Sequence, residues 1–316
     1  MTTNDTPTPA THLSYQRIRP HVRMALRFGA VAVSTALISA CGGGSEEGSG
    51  GTPEANESMQ SSEVGLPLPD EAAHVHGVGV DPDSGEVLVA THAGLFHLPA
   101  PEEADGEKTA AEKVGPTIDL MGFSITGSGR FVASGHPGPD IDLPNPVGLI
   151  ESRDGGKSWQ PLSLQGQSDF HALSAGQERV VGFDGQMRAT EDGTTWEDLG
   201  GSFTPFSLAV SDDGQAIVAT TQQGPQHSRD GGAGFSPVEE APPLVFVDWV
   251  PGTDSVYGVS LEGRIHRSDD AGATWTSTGG IEGEPQALHA DADQLIVVAD
   301  QQVSRSTDEG ATFQGW

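Results

Sequence analysis

Histidines and carboxylates hold most of the chemistry this chain can offer. Two of its 11 histidines precede Cys41, which leaves nine after it. Among these, His74, His76, His92, His136 and His171 stand in or beside short apolar runs, in "HVHGVGV", "ATHAG", "ASGHPG" and "DFHAL". Imidazoles gathered near a carboxylate suit zinc, copper, iron or nickel. They equally suit proton transfer near neutral pH, and a third reading makes them a polar plug bridged by water. Asp184 and Asp300 are the carboxylates placed to assist, as supplementary ligands or as groups that orient the imidazoles. None of these spacings is a metal motif on its own, so the chemistry depends on what brings the residues together.

That positioning comes from a repeat. The octet "SRDGGKSW" at 152–159 returns as "TEDGTTW", "SRDGGAGF", "SDDAGATW" and "STDEGATF". The central aspartates, Asp154, Asp192, Asp230, Asp270 and Asp308, are 38, 38, 40 and 38 residues apart. A period near forty belongs to a propeller or a solenoid. Before each octet lie runs rich in Val, Ile, Phe and Thr with period-two alternation, separated by Gly or Asp turns, and these predict antiparallel strands. In the unit that holds Asp270 they are "LVFVDWV", "SVYGVS" and "GRIHRS", with a fourth run after Trp275. Four short strands per forty residues make a propeller blade. An upstream unit has "HVHGVGV", "EVLVAT" and "GLFHL" but no octet, and an acidic, Ala-rich stretch at 99–115 takes its place. The expected fold is all-β, a six-bladed β-propeller over residues 64–316. Its last blade has only "FQGW" for an outer strand, and "VGLPLP" at 64–69 is available to help close the ring.

The octet resembles the Asp box, or BNR repeat, of sialidases and related propellers. The resemblance implies a hairpin between third and fourth strands in which Asp accepts backbone N–H groups, Gly takes a positive φ and the aromatic packs under a neighbouring sheet. The five octets are then structural staples, and "TEDGTTW", one residue short, must turn more tightly. The resemblance also implies that functional groups lie on the face opposite the octets, where first strands start and second strands end. The first set of slots holds His76, Met121, His171, Phe206, Phe246 and Gln286, and the second holds His92, His136, Asp184, Thr221, Ser260 and Asp300. Four histidines on three consecutive blades make His76, His92, His136 and His171 the candidate metal ligands, with zinc or copper as the candidate cofactor. His74, Asp184 and Asp300 complete the candidate ligand-binding set. His97, His227 and His266 fall on third strands as ordinary sheet residues, and His289 is expected to point away from the others. A Pro-rich excursion at 135–146, with Asp140, Asp142 and Asn145, is expected to rim this face.

Catalysis has weaker support. Sialidases use a Tyr nucleophile and an arginine cluster, whereas this chain has only Tyr15 and Tyr257, no Arg in the slots, and Tyr257 at a core position. A glycosidase of another kind would need paired carboxylates, for which Asp184, Asp248, Glu262 and Asp300 are the candidates. Binding of a small ligand, a metal or a glycan therefore leads over a glycoside hydrolase-like enzyme and over a scaffold or assembly factor.

The remaining sequence sets the compartment. Four arginines precede an apolar run at 28–40 that is shorter than the roughly 20 residues of a membrane span, and basic-then-apolar-then-small is the order of a secretory signal. Its end, "LISAC", resembles the lipobox of bacterial lipoproteins, which implies that Cys41, the single cysteine, carries lipid and becomes the first mature residue. The Gly-, Ser- and Glu-rich stretch at 42–63 reads as a tether. Cys41 onward contains 11 basic and 44 acidic residues, which disfavours nucleic acid and attracts cations. The chain is thus expected outside the cytoplasm of a bacterium, as a monomer held to the membrane only by its lipid. Replacing Cys41→Ser is expected to move the protein from the membrane fraction to the soluble one, as an unlipidated precursor detectable by mass spectrometry.

Overall fold

The computed structural model describes residues 65–100, 110–126 and 129–315; the expected signal segment, Cys41 and the expected tether lie outside them. Among the described residues the strands form six four-stranded antiparallel sheets. The one helical element among them is a 3-10 turn at Asp70–Ala72, and none is long and apolar enough to cross a membrane. Each sheet is a blade. The first strands of blades one to six are Val75–Val80, Ile118–Ile125, Ala172–Ala175, Pro205–Val210, Leu244–Trp249 and Pro285–Ala290. Each touches the next, and the sixth touches the first, so the blades close a ring around a central channel.

The blades stack because their middle strands are apolar on both faces. Val87–Thr91, Ile217–Thr221, Val256–Ser260 and Leu295–Ala299 are buried along their whole length. Such a sheet needs cover on either side, and six apolar clusters supply it, one at each junction. Leu88 and Ala90 meet Leu120 and Phe131 between blades one and two, and Val87 and Val89 meet Ile296 and Val298 between blades six and one.

The octets tie each blade to the one before it. Ser152 Oγ donates to Asp154 Oδ1 (2.8 Å) and accepts the Gly156 N–H (2.9 Å), while Asp154 Oδ1 also accepts the Ser158 N–H (2.9 Å). The same bonds recur around Asp230, Asp270 and Asp308. In the short octet Thr190 Oγ1 accepts from Gly193, three residues on rather than four, so the turn is tighter as expected. Trp159, Trp196, Phe235, Trp275 and Phe313 each pack into the junction with the preceding blade. Gly156 and Gly272 have φ of 82° and lie against Leu95 and Val218 of those blades, where a Cβ would collide.

Blade one has no octet, and the junction it would have served is filled from elsewhere. Leu66, Leu68 and Ala72 enter the cluster between blades six and one. Leu66–Pro67 also pairs with the third strand of blade six, Leu66 opposite Val303 and Pro67 opposite Gln302. Gln314 bridges Arg305 further along the same edge. The stretch anticipated at 64–69 thus closes the ring, and "FQGW" adds one bridge.

A charged contact joins blades five and six at the octet end of the channel. Asp248 Oδ2 accepts the Ala290 N–H at 2.9 Å and lies 3.1 Å from His289 Nδ1, while His289 Nε2 is 3.5 Å from Asp291. Burial opposes charge on His289, but the adjacent carboxylates of Asp248 and Asp291 outweigh that and raise its pKa to about 9. A raised histidine pKa stabilises the fold fully below the unfolded-state value and ceases to do so as pH rises through the folded one. His289→Gln should therefore destabilise the propeller by roughly 2 kcal/mol near neutral pH, the scale of a charge-assisted hydrogen bond. In thermal melts the gap from the parent should narrow as pH passes about 9.

Candidate metal centre

The channel mouth opposite the octets is shaped by bulges. Five of the six first strands skip one residue near their starts, between Val75 and Gly77, Leu120 and Gly122, Pro205 and Ser207, Leu244 and Phe246, and Pro285 and Ala287. A bulge leaves one residue unpaired and re-aims its side chain. The residues so released are His76, Met121, Phe206, Val245 and Gln286. His76, Met121 and Phe206 line the channel with His171 and Phe246. Gln286 is drawn aside, its Oε1 accepting the Gln301 N–H at 2.7 Å. The added residue also shifts the alternation beyond it, so His289 lines the same channel at its far end rather than pointing away.

Two aspartates organise the histidines into two groups. Asp119 starts the inward turn of blade two, opposite His136 in the sheet. Its Oδ2 lies 2.9 Å from His92 Nδ1, and its Oδ1 faces His76 Nε2 at 3.9 Å. Ligand atoms of His76, His92 and Asp119 all lie within 4.8 Å of one another. Both Asp119 Oδ1 and His76 Nε2 are buried and make no hydrogen bond. His74 supports the group from behind: its backbone has a φ of 62°, and its ring meets that of His92 edge-on at 5.1 Å. Positive φ in a non-glycine residue is uncommon, although His adopts it more readily than most.

The second group lies one blade further round. Asp169 Oδ2 is 3.2 Å from His136 Nε2 and 3.4 Å from His171 Nε2. His136 Nδ1 is 2.7 Å from Asn145 Oδ1, so the Pro-rich excursion touches the site through Asn145 while Asp140 and Asp142 stay exposed. All five candidate histidines thus stand at this mouth, four of them on two carboxylates that the slots did not include and His74 against His92. The signal was present: Asp119 precedes Met121, and Asp169 precedes His171, by the same two residues that separate His74 from His76.

The other candidates are held elsewhere. Asp184 accepts from Ser168 Oγ at 2.6 Å and pairs with Arg188 at 3.3 Å, which fastens a loop of blade three. Asp300 Oδ1 accepts the Glu284 N–H at 3.0 Å and so braces a turn of blade six. Glu262 accepts from Ser260 at 3.2 Å, and Asp248 belongs to the His289 contact. Tyr257 is buried in the junction of blades five and six, while His97, His227 and His266 lie on third strands.

Within the first group, burial and then repulsion from His92 hold His76 at a pKa of about 4, against the pull of Asp119. Its imidazole therefore stays neutral, with a lone pair available, through the range in which a free histidine takes a proton. A neutral imidazole and a carboxylate with free, buried atoms are the donor set of a borderline transition metal.

No family model matches the sequence, and no curated protein matches it. Solved structures resemble it in fold. The Niastella koreensis GH74 enzyme superposes with a TM-score of 0.52 at 13% identity over 79% of this chain, which spans 45% of that enzyme's length. XC5397 of Xanthomonas campestris, described as a gluconolactonase, gives a TM-score of 0.57 at 13% identity, covering 75% of this chain and 87% of its own. A chain of a nidogen/laminin complex gives 0.56 at 12% identity, covering 72% and 91%. At these identities the likeness shows the fold alone, and two of the proteins that share it are described as enzymes.

Between the ordinary histidine pKa and about 4, the unfolded chain binds a proton that folded His76 refuses. The protein should lose stability as pH falls through that window. Replacing His76→Leu should flatten this acid-side slope, as read from urea midpoints taken at several pH values.

Proposed function

We propose that this chain is a lipid-anchored, extracytoplasmic Asp-box propeller that binds a transition metal at His76, His92 and Asp119. The observation that carries the reading is the facing pair of unbonded buried atoms, His76 Nε2 and Asp119 Oδ1, 3.9 Å apart. That distance is too long for a hydrogen bond, and leaving both groups bare is costly unless something else satisfies them. Two N/O ligands on a tetrahedral zinc stand about 3.4 Å apart, so a small closing movement would seat an ion between them. His74, touching His92, and the His136–Asp169–His171 group beside them would orient the ligands and bind whatever the metal presents to solvent. The acidic surface, with 44 carboxylates after Cys41, would raise the local cation concentration.

A hydrolase is the lesser reading. The GH74 enzyme and the gluconolactonase share this fold, but Asp184, Asp248, Glu262 and Asp300 are each engaged by partners of their own.

Elemental analysis of the purified protein, followed by calorimetry with zinc and copper, tests the proposal. About one metal per chain is expected, with binding weakened roughly a hundredfold or more by His92→Ala combined with Asp119→Asn. His136→Ala, on the other carboxylate, should leave most of the affinity in place. A chain that takes up neither ion would reduce the cluster to a polar plug.

A further inference from the structure

The slots at the channel mouth hold one soft donor that the metal reading has not used. Met121 is the residue released by the bulge of blade two, and it lines the channel between His76 of blade one and His171 of blade three. It follows Asp119 by two residues and is half-buried, in the same kind of bulge that aims His76 inward. The opposite side of the mouth is apolar: Phe206, 52% exposed, and Phe246 line it from blades four and five.

We infer that Met121 is a thioether ligand of this centre and makes it selective for cuprous copper over zinc. The inference rests on the metal-centre reading and adds the identity of the ion. Thioethers select Cu(I), whereas zinc is bound by thiolates, imidazoles and carboxylates. Imidazole serves both ions, so His76 and His92 do not discriminate, and the sulfur does. Charge points the same way. The proposed donor set contains one carboxylate, Asp119, which neutralises a monovalent ion completely but leaves a divalent ion with residual charge. Isosteric Met121→Leu keeps the apolar bulk and removes only the sulfur.

The experiment uses the full chain carrying Cys41→Ser, because the single cysteine would itself bind Cu(I). Cu(I) affinity is measured without oxygen against bathocuproine disulfonate, and Zn(II) affinity against a chromophoric chelator, with and without Met121→Leu. The substitution is expected to weaken Cu(I) at least about tenfold, the scale on which changes at a metal site act, and to leave Zn(II) unchanged. The copper X-ray absorption spectrum should show a sulfur neighbour that disappears with Met121→Leu. That spectrum keeps the question decidable even if the variant folds poorly, since the parent without a sulfur neighbour overturns the inference. Equal effects on both ions, or none on Cu(I), also overturn it while leaving the metal centre standing. A parent that binds neither ion removes both.

Discussion

Every blade of this propeller is too apolar to stand alone. The middle strands bury both faces, so a blade is stable only when sandwiched between two others, and the last must find the first. Closure is thus a requirement of the hydrophobic effect rather than an ornament of the fold. The octets serve that requirement. Their Asp and Ser or Thr side chains satisfy the backbone of a tight turn, and their aromatics then carry apolar surface across to the blade before. Five junctions are built in this way. The sixth borrows Leu66, Leu68 and Ala72 from the start of the domain.

Closure also creates the site. Six first strands converge on one axis, and polar residues on any of them come within reach of their neighbours. The bulges decide which residues those are. By releasing a single residue from pairing, the bulges of blades one, two and four turn His76, Met121 and Phe206 toward the channel. His76 is buried enough there to stay neutral, and Asp119 stands close enough to face it without bonding to it. The mouth is accordingly divided, with imidazole, carboxylate and thioether on blades one to three and aromatic carbon on blades four and five.

The architecture was legible because its signal is repeated. Five octets at nearly constant spacing fix the period, and with the upstream unit they imply six blades. The segment that closes the ring was legible by elimination, since the last unit lacks an outer strand. The site was half legible. The histidines could be placed because strand starts and ends recur at equivalent positions in each unit. Asp119 and Asp169 escaped because one slot was taken per strand start, although the offset between His74 and His76 marks both. The bulges escaped for a deeper reason. They depend on how the inner edge of each sheet relaxes where strands crowd the axis, and no residue type announces them: His, Met, Phe, Val and Gln all occupy the bulged position. Hence His289 was sent to the wrong side, whereas Phe246 does line the channel although the residue released beside it is Val245.

The octet's reach across to the preceding blade has an evolutionary consequence. A copied segment of one period, 38 residues in most units, brings with it both a sheet and the aromatic that fastens that sheet to its predecessor. A newly duplicated unit is therefore born with its own means of attachment, and an array can lengthen without inventing a new interface. Only the closing segment near Leu66 lies outside the duplicated period. One such segment serves a ring of any number of units, so selection has a single joint to adjust when the blade count changes, while every other junction is inherited ready-made.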